Sequence, residues 1–197
     1  MNIDLLRSLV WMDYRLAVLL TVIMPLALLV WSVFKRSEAI STVLLIYWRA
    51  ASMLMITVYL MIFAWPYSFV TALFARAIIP VSLWYWADIN EEIREQPRNR
   101  LWLVFTAWRW AVTIYSTLGA IALIPFQSCA FRSGAVDAAF CQVWFEPPFR
   151  YKEIFHGSAT PGFLGFLGFM GLFFYVLLSL YFLVFRLAKQ GRSALEQ

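Results

Sequence analysis

Charge is what this sequence has least of. Only 14% of its 197 residues are Asp, Glu, Lys or Arg, and 63% are hydrophobic. A soluble domain carries roughly 25% charged and 45–50% apolar residues. The apolar surplus sits in long runs, and nothing is left over for a soluble unit of ordinary size. Short alternating segments of the kind that build a transmembrane barrel are missing too. Histidine is almost absent: the one imidazole, His156, cannot complete the usual Cys/His metal sets. There is no nucleophile elbow, phosphate loop or paired His–carboxylate set. That counts against an enzyme, though it does not exclude one acting on membrane lipids. The net charge of +5 has no basic domain to carry it, so it reads as cations gathered in cytoplasmic loops rather than as nucleic-acid binding. Residues 1–15 show neither a cleavable signal nor a lipidation box.

What is there predicts an all-α protein, a polytopic transmembrane helical bundle of about five spans forming one domain. Several apolar runs approach the roughly 20 residues that cross a bilayer as a helix. They fall at about 16–34, 41–63, 68–86, 101–124 and 163–185. Ahead of the first, MNIDLLRSLVWMDYR has the pattern of a short helix lying in the membrane interface or of a plain lead-in. Pro25 is expected to kink the first span. The stretch ADINEEIREQPRNR is the one clearly polar segment, with Asp88, Glu91, Glu92 and Glu95 on one helical face. It lacks the histidine of a Glu-x-x-His di-metal motif and reads as a solvated helix. The segment 68–86 either spans or re-enters.

Orientation follows from the cations. Lys35, Arg36, Arg94, Arg98, Arg100, Arg186, Lys189 and Arg192 share one side, against Arg7, Arg15, Arg132, Arg150 and Lys152 on the other. The larger set marks the cytoplasm, so the N-terminus is expected outside and the C-terminus inside. Cys129 and Cys141, the two cysteines, then fall in a long external loop. An oxidising compartment lets them pair, which constrains the unfolded chain by roughly 3 kcal/mol. That loop is rich in Phe, Tyr and Trp and is expected to fold back onto the bundle or meet a partner.

Arg49, Arg76 and Arg109 lie inside apparent spans, where a charge costs at least about 2.5–3.5 kcal/mol. Arg49 and Arg109 stand about 12 Å from the cytoplasmic ends, within snorkelling range of lipid phosphate. Arg76 stands about 15 Å deep. With every Asp and Glu read as lying at an edge or in a loop, its counter-group is left as a backbone carbonyl, water, a lipid phosphate, an anionic ligand or another subunit's carboxylate. Gly162, Gly165, Gly168 and Gly171 recur along the last span. They form a tight packing stripe or the seat of a flat pigment such as chlorophyll or a carotenoid, or of a bound lipid. His156 is a weak candidate ligand for such a group.

The segments RSLVWMDYRLAVLLTVIMPL, SLWYWADINEEIREQP, TAWRWAVTIYS, ATPGFLGFLG and LAKQGRSALEQ together resemble an uncharacterised integral-membrane family of cyanobacteria. The resemblance covers nearly the whole chain. It implies a photosynthetic host, with a thylakoid or plasma-membrane location, and no particular activity. The expected function is a non-catalytic accessory subunit or assembly factor of a photosynthetic or respiratory membrane complex, in contact with lipid and with that complex. The alternatives are a small transporter or channel for an anion or lipid, and a membrane-lipid enzyme.

Overall fold

The computed structural model describes residues 2–132 and 134–187, and among them there is no strand. The tail 188–197, with Lys189 and Arg192 of the expected cytoplasmic set, lies outside the described residues.

The first helix, α1, runs unbroken from Ile3 to Phe34. Its N-cap Asn2 accepts from the Asp4 amide, which satisfies one of the free donors at a helix start. No separate interfacial helix precedes the span. The buried face of residues 3–15, Leu6 and Val10, packs on Val143 of the aromatic loop, so this stretch is drawn up into the helix. At 32 residues and 1.5 Å each, α1 is about 48 Å long, well beyond a hydrocarbon core of about 30 Å. Pro25 is absorbed by a π-helical segment at Val18–Ile23. Proline lacks an N–H and pushes on the carbonyl four residues back. The Leu20 and Thr21 carbonyls, five and four residues back, accept instead from Trp108 Nε1 at 2.8 Å and Tyr47 OH at 2.7 Å.

Helix α2 spans Glu38–Ile62 and α3 spans Ser68–Trp84. The turn between them closes as a Schellman motif. Ala64 N–H donates to the Met61 carbonyl at 2.9 Å and Trp65 N–H to that of Leu60 at 3.1 Å, with Ala64 at φ 54° where glycine is usual. After Trp84 the chain bends by 57° into α4, Ala87–Glu95. Ile89 and Ile93 bury one face of α4, so the polar segment is an amphipathic helix joined to the bundle. Helix α5 follows at Arg100–Leu123, then short turns to Phe145, α6 at Glu146–Phe155 and α7 at Pro161–Tyr181.

Among the described residues, three helices are long and apolar enough to cross a membrane, or up to 5 if each bent pair counts as one span. One core joins α1 to α5 through Leu28, Ile40, Leu44, Tyr47, Ile79 and Phe105. A second core gathers Phe69 and Leu123 with Cys129, Cys141 and Phe145. The aromatic loop therefore caps one end of the bundle. Its cysteines are joined, with Cα atoms 6.0 Å apart. Glu146, at the start of α6, accepts from Arg7 Nε at 2.9 Å and Trp11 Nε1 at 3.2 Å, which ties the cap to α1.

Candidate functional site

Arg76 stands at the middle of α3, buried to 9% exposure. Its guanidinium donates from Nη2 to Asp13 Oδ2 of α1. Tyr115 of α5 donates its hydroxyl to Asp13 Oδ1 at 2.8 Å, and the Arg76 guanidinium lies over the Tyr115 ring, 5.2 Å from its centroid. One turn further along α5, a Cβ on Gly119 would fall 1.7 Å from Arg76 Nη1. The glycine is what lets the guanidinium lie against the helix. Three helices thus meet at one ion pair.

This overturns the expectation that no carboxylate of the chain itself can pair with Arg76. Asp13 lies ten residues into α1, about 15 Å along it, because residues 3–15 continue the span instead of lying flat. No outside counter-group is needed for Arg76. Asp13, Tyr115 and Gly119 are the residues that sequence reasoning missed. Tyr115 and Gly119 did carry a faint signal, since they share a face of α5 at a spacing of four.

Arg109 does not snorkel. It is 4% exposed, and its Nη2 donates to the Leu83 carbonyl and to Asn90 Oδ1. Its guanidinium lies over the Trp84 ring at 3.9 Å. The last carbonyls of a helix have no partner within it and carry partial negative charge, so Arg109 closes the end of α3. Asn90 Nδ2 donates to the Trp84 carbonyl at 3.0 Å, and Trp84 Nε1 donates to Thr113 Oγ1 at 2.8 Å. The set fixes the bend between α3 and α4. Among the described residues no carboxylate lies within ion-pair distance of Arg109.

Arg49 is the remaining case. It is the twelfth of the 25 residues of α2 and is exposed. Among the described residues its guanidinium has neither a hydrogen-bond acceptor nor a carboxylate partner.

Three of the four glycines of the last helix face α2. A Cβ on Gly165 would meet Phe63 at 2.5 Å, one on Gly168 would meet Leu60 and Tyr59 at 3.1 Å, and one on Gly171 would meet Ile56 at 3.2 Å. Protein covers that face at these three positions, as a packing stripe requires; Gly162 has nothing within 4 Å. His156 is held by Tyr59, with Nε2 2.9 Å from the hydroxyl. The Tyr151 ring meets both edge-to-face, and burial, then Tyr59, pushes its phenol up to about 12. Among the described residues no group of three or more His, Cys, Asp or Glu is placed to hold a metal ion.

The chain belongs to the protein family of unknown function DUF3177, which it matches over residues 7–195. No curated protein and no solved structure matches it.

Proposed function

We propose that this DUF3177 member is a non-catalytic integral membrane protein, an accessory subunit or assembly factor that works by docking to a larger membrane complex. One observation carries this. The polar chemistry of the spans, Asp13–Arg76–Tyr115 and Arg109–Asn90, is used to hold the protein's own helices together. A transport path or an active site needs polar groups free to meet a ligand, and two of the three arginines in the spans already have protein partners. The alternative as an anion or lipid transporter loses its main candidate when Arg76 is neutralised by Asp13. The alternative as a membrane-lipid enzyme rests on the carboxylates of α4 alone.

The membrane is proposed to be a thylakoid or plasma membrane, and the complex photosynthetic or respiratory. The N-terminus faces outside and the C-terminus the cytoplasm. The cation count and the paired cysteines of the cap support that orientation together, since disulfides persist away from the cytosol. The test is native electrophoresis of membranes in mild detergent, with mass spectrometry of the co-migrating bands and reciprocal purification from a tagged partner. The protein should run with a defined complex. A purely monomeric protein at native abundance would overturn the proposal.

A further inference from the structure

We propose that Tyr59 and His156 form a redox-active pair, in which a one-electron oxidant takes an electron from the Tyr59 ring and the imidazole takes its proton. This goes beyond the accessory-subunit reading and does not rest on it.

Three elements build the pair. Tyr59 stands in the last turn of α2. His156 caps the end of α6, where its backbone N–H donates to the Lys152 carbonyl at 2.8 Å. Gly168 of α7 lies so close that a Cβ on it would come within 3.1 Å of the Tyr59 Cβ. The tyrosine is thus held by α7 at its Cβ and by the end of α6 at its oxygen, which is 2.9 Å from Nε2. That is within the roughly 2.6–3.2 Å across which a positioned base takes a proton. Both side chains are half-buried. Tyr151 fixes the direction of the bond. Burial first, and then Tyr59, keep its phenol protonated, as a donor to the Tyr59 oxygen is kept. The Tyr59 O–H then points at Nε2, with the imidazole in its Nδ1–H tautomer.

Two other phenols donate to acceptors that cannot take the proton. Tyr47 donates to the Thr21 carbonyl at 2.7 Å, and an amide oxygen does not hold a proton near neutral pH. Tyr115 donates to Asp13 at 2.8 Å. That carboxylate is paired with Arg76, and a proton on it would leave the buried guanidinium uncompensated. Tyr59 alone of the three faces an imidazole, the side chain whose charge changes between about pH 5 and 8.

The step balances. The oxidant gains one electron and Tyr59 loses one. An oxidised phenol is a strong acid, so its O–H bond breaks and the proton joins the Nε2 lone pair. The products are a neutral tyrosyl radical and an imidazolium, and return of the electron reverses both transfers. The free carbonyls at the end of α6 favour the imidazolium. The other charged or titratable groups about the ring are few. Tyr151 and Lys152 belong to α6, as does Glu153, which is paired with Arg150. Tyr14 of α1 acts on Tyr151, and α7 carries no charged residue over Pro161–Tyr181.

A series of rings leads from the surface to the pair. Trp11 lines the groove between α1 and α6, and its ring lies 6.3 Å from that of Tyr14. Tyr14 is close enough to Tyr151 to act on its phenol, and the Tyr151 ring lies 6.5 Å from that of Tyr59. Electron transfer weakens exponentially with distance, so hops between neighbouring rings connect Tyr59 to an oxidant at that groove.

The experiment places the full chain in phosphatidylcholine vesicles and uses a photogenerated ruthenium(III) polypyridyl complex as the oxidant. Electron spin resonance on samples frozen after a flash should show a neutral tyrosyl radical. Tyr59→Phe should remove it. His156→Phe should slow its formation at least about a hundredfold at neutral pH, the lower end of what a positioned base contributes. As the pH falls through the imidazole range the wild type should slow, because Nε2 is then already protonated, and His156→Phe should not. Melting temperatures are measured alongside. Should a variant fail to fold, the unmutated protein still decides the matter. His156 is the sole histidine, so histidine carrying the heavier nitrogen isotope should alter the hyperfine structure of the radical. A radical that survives Tyr59→Phe, an unchanged rate in His156→Phe, or a signal indifferent to labelled histidine overturns the proposal.

Discussion

Asp13 and Arg76 stand 63 residues apart and share one hydrogen-bonded ion pair between α1 and α3, closed from above by the Tyr115 hydroxyl. Removing one partner leaves the other charge in a poorly solvated site. Asp13→Ala or Arg76→Ala should each cost about 3 kcal/mol. Replacing both together by apolar residues should cost clearly less than the sum. Thermal unfolding in detergent of the two single variants and of an Asp13→Leu/Arg76→Leu double variant measures this, and strictly additive losses would refute the pairing.

Gly119 should tolerate no side chain. A methyl group there enters the space of Arg76 Nη1, and forcing atoms into a packed site costs typically about 1–3 kcal/mol. Gly119→Ala should therefore lower the melting temperature in the wild type. In an Arg76→Ala background the same change should be nearly silent, because the clashing group is gone. An equal loss in both backgrounds would place the strain elsewhere.

Pro25, Tyr47 and Trp108 form a second coupled set. Tyr47→Phe leaves the Thr21 carbonyl without its acceptor bond and should cost about 1–2 kcal/mol. In Pro25→Ala the backbone gains an N–H that can reach that carbonyl, so Tyr47→Phe should cost much less. The comparison is again a double-mutant cycle on unfolding midpoints.

Ala64 offers a gain. It holds φ 54° at the end of α2, a conformation that costs an L-residue roughly 1–2 kcal/mol and glycine little. Ala64→Gly should raise stability by up to about 1 kcal/mol, read as a higher melting temperature; a lower one would contradict the Schellman assignment.

The cap should depend on its cysteines. Cys129→Ser should destabilise the protein by about 3 kcal/mol on the loop-entropy account. Both cysteines are buried to 1% or less, so a maleimide should label the wild type only after reduction and unfolding. Labelling of the untreated protein would show free thiols.

How far the sequence could be read depends on whether a feature is local. The apolar runs located the helices, because hydropathy summed over about 20 residues has no soluble alternative. The aromatic loop and its cysteines pointed to a cap for the same reason, since so many rings do not stay in water. Residues 3–15 left two readings open: their amphipathic pattern fits an interfacial helix as well as a lead-in packed on one side under a loop, and the choice depends on Val143, more than a hundred residues away.

The arginines divide along the same line. That charge inside a span needs a counter-group was legible from Arg49, Arg76 and Arg109 alone, because desolvation is a property of depth. Which counter-group each one finds was not, because it depends on the rotation and height of one helix against another. A π turn ahead of Pro25 and a bend after Trp84 set those relations, and side chains from distant helices hold both in place. Composition and hydropathy by themselves determined that this protein is a set of apolar helices with costly charges in them. Only tertiary packing decided that Asp13 neutralises Arg76, that Arg109 closes a helix end, and that Arg49 is left facing outward.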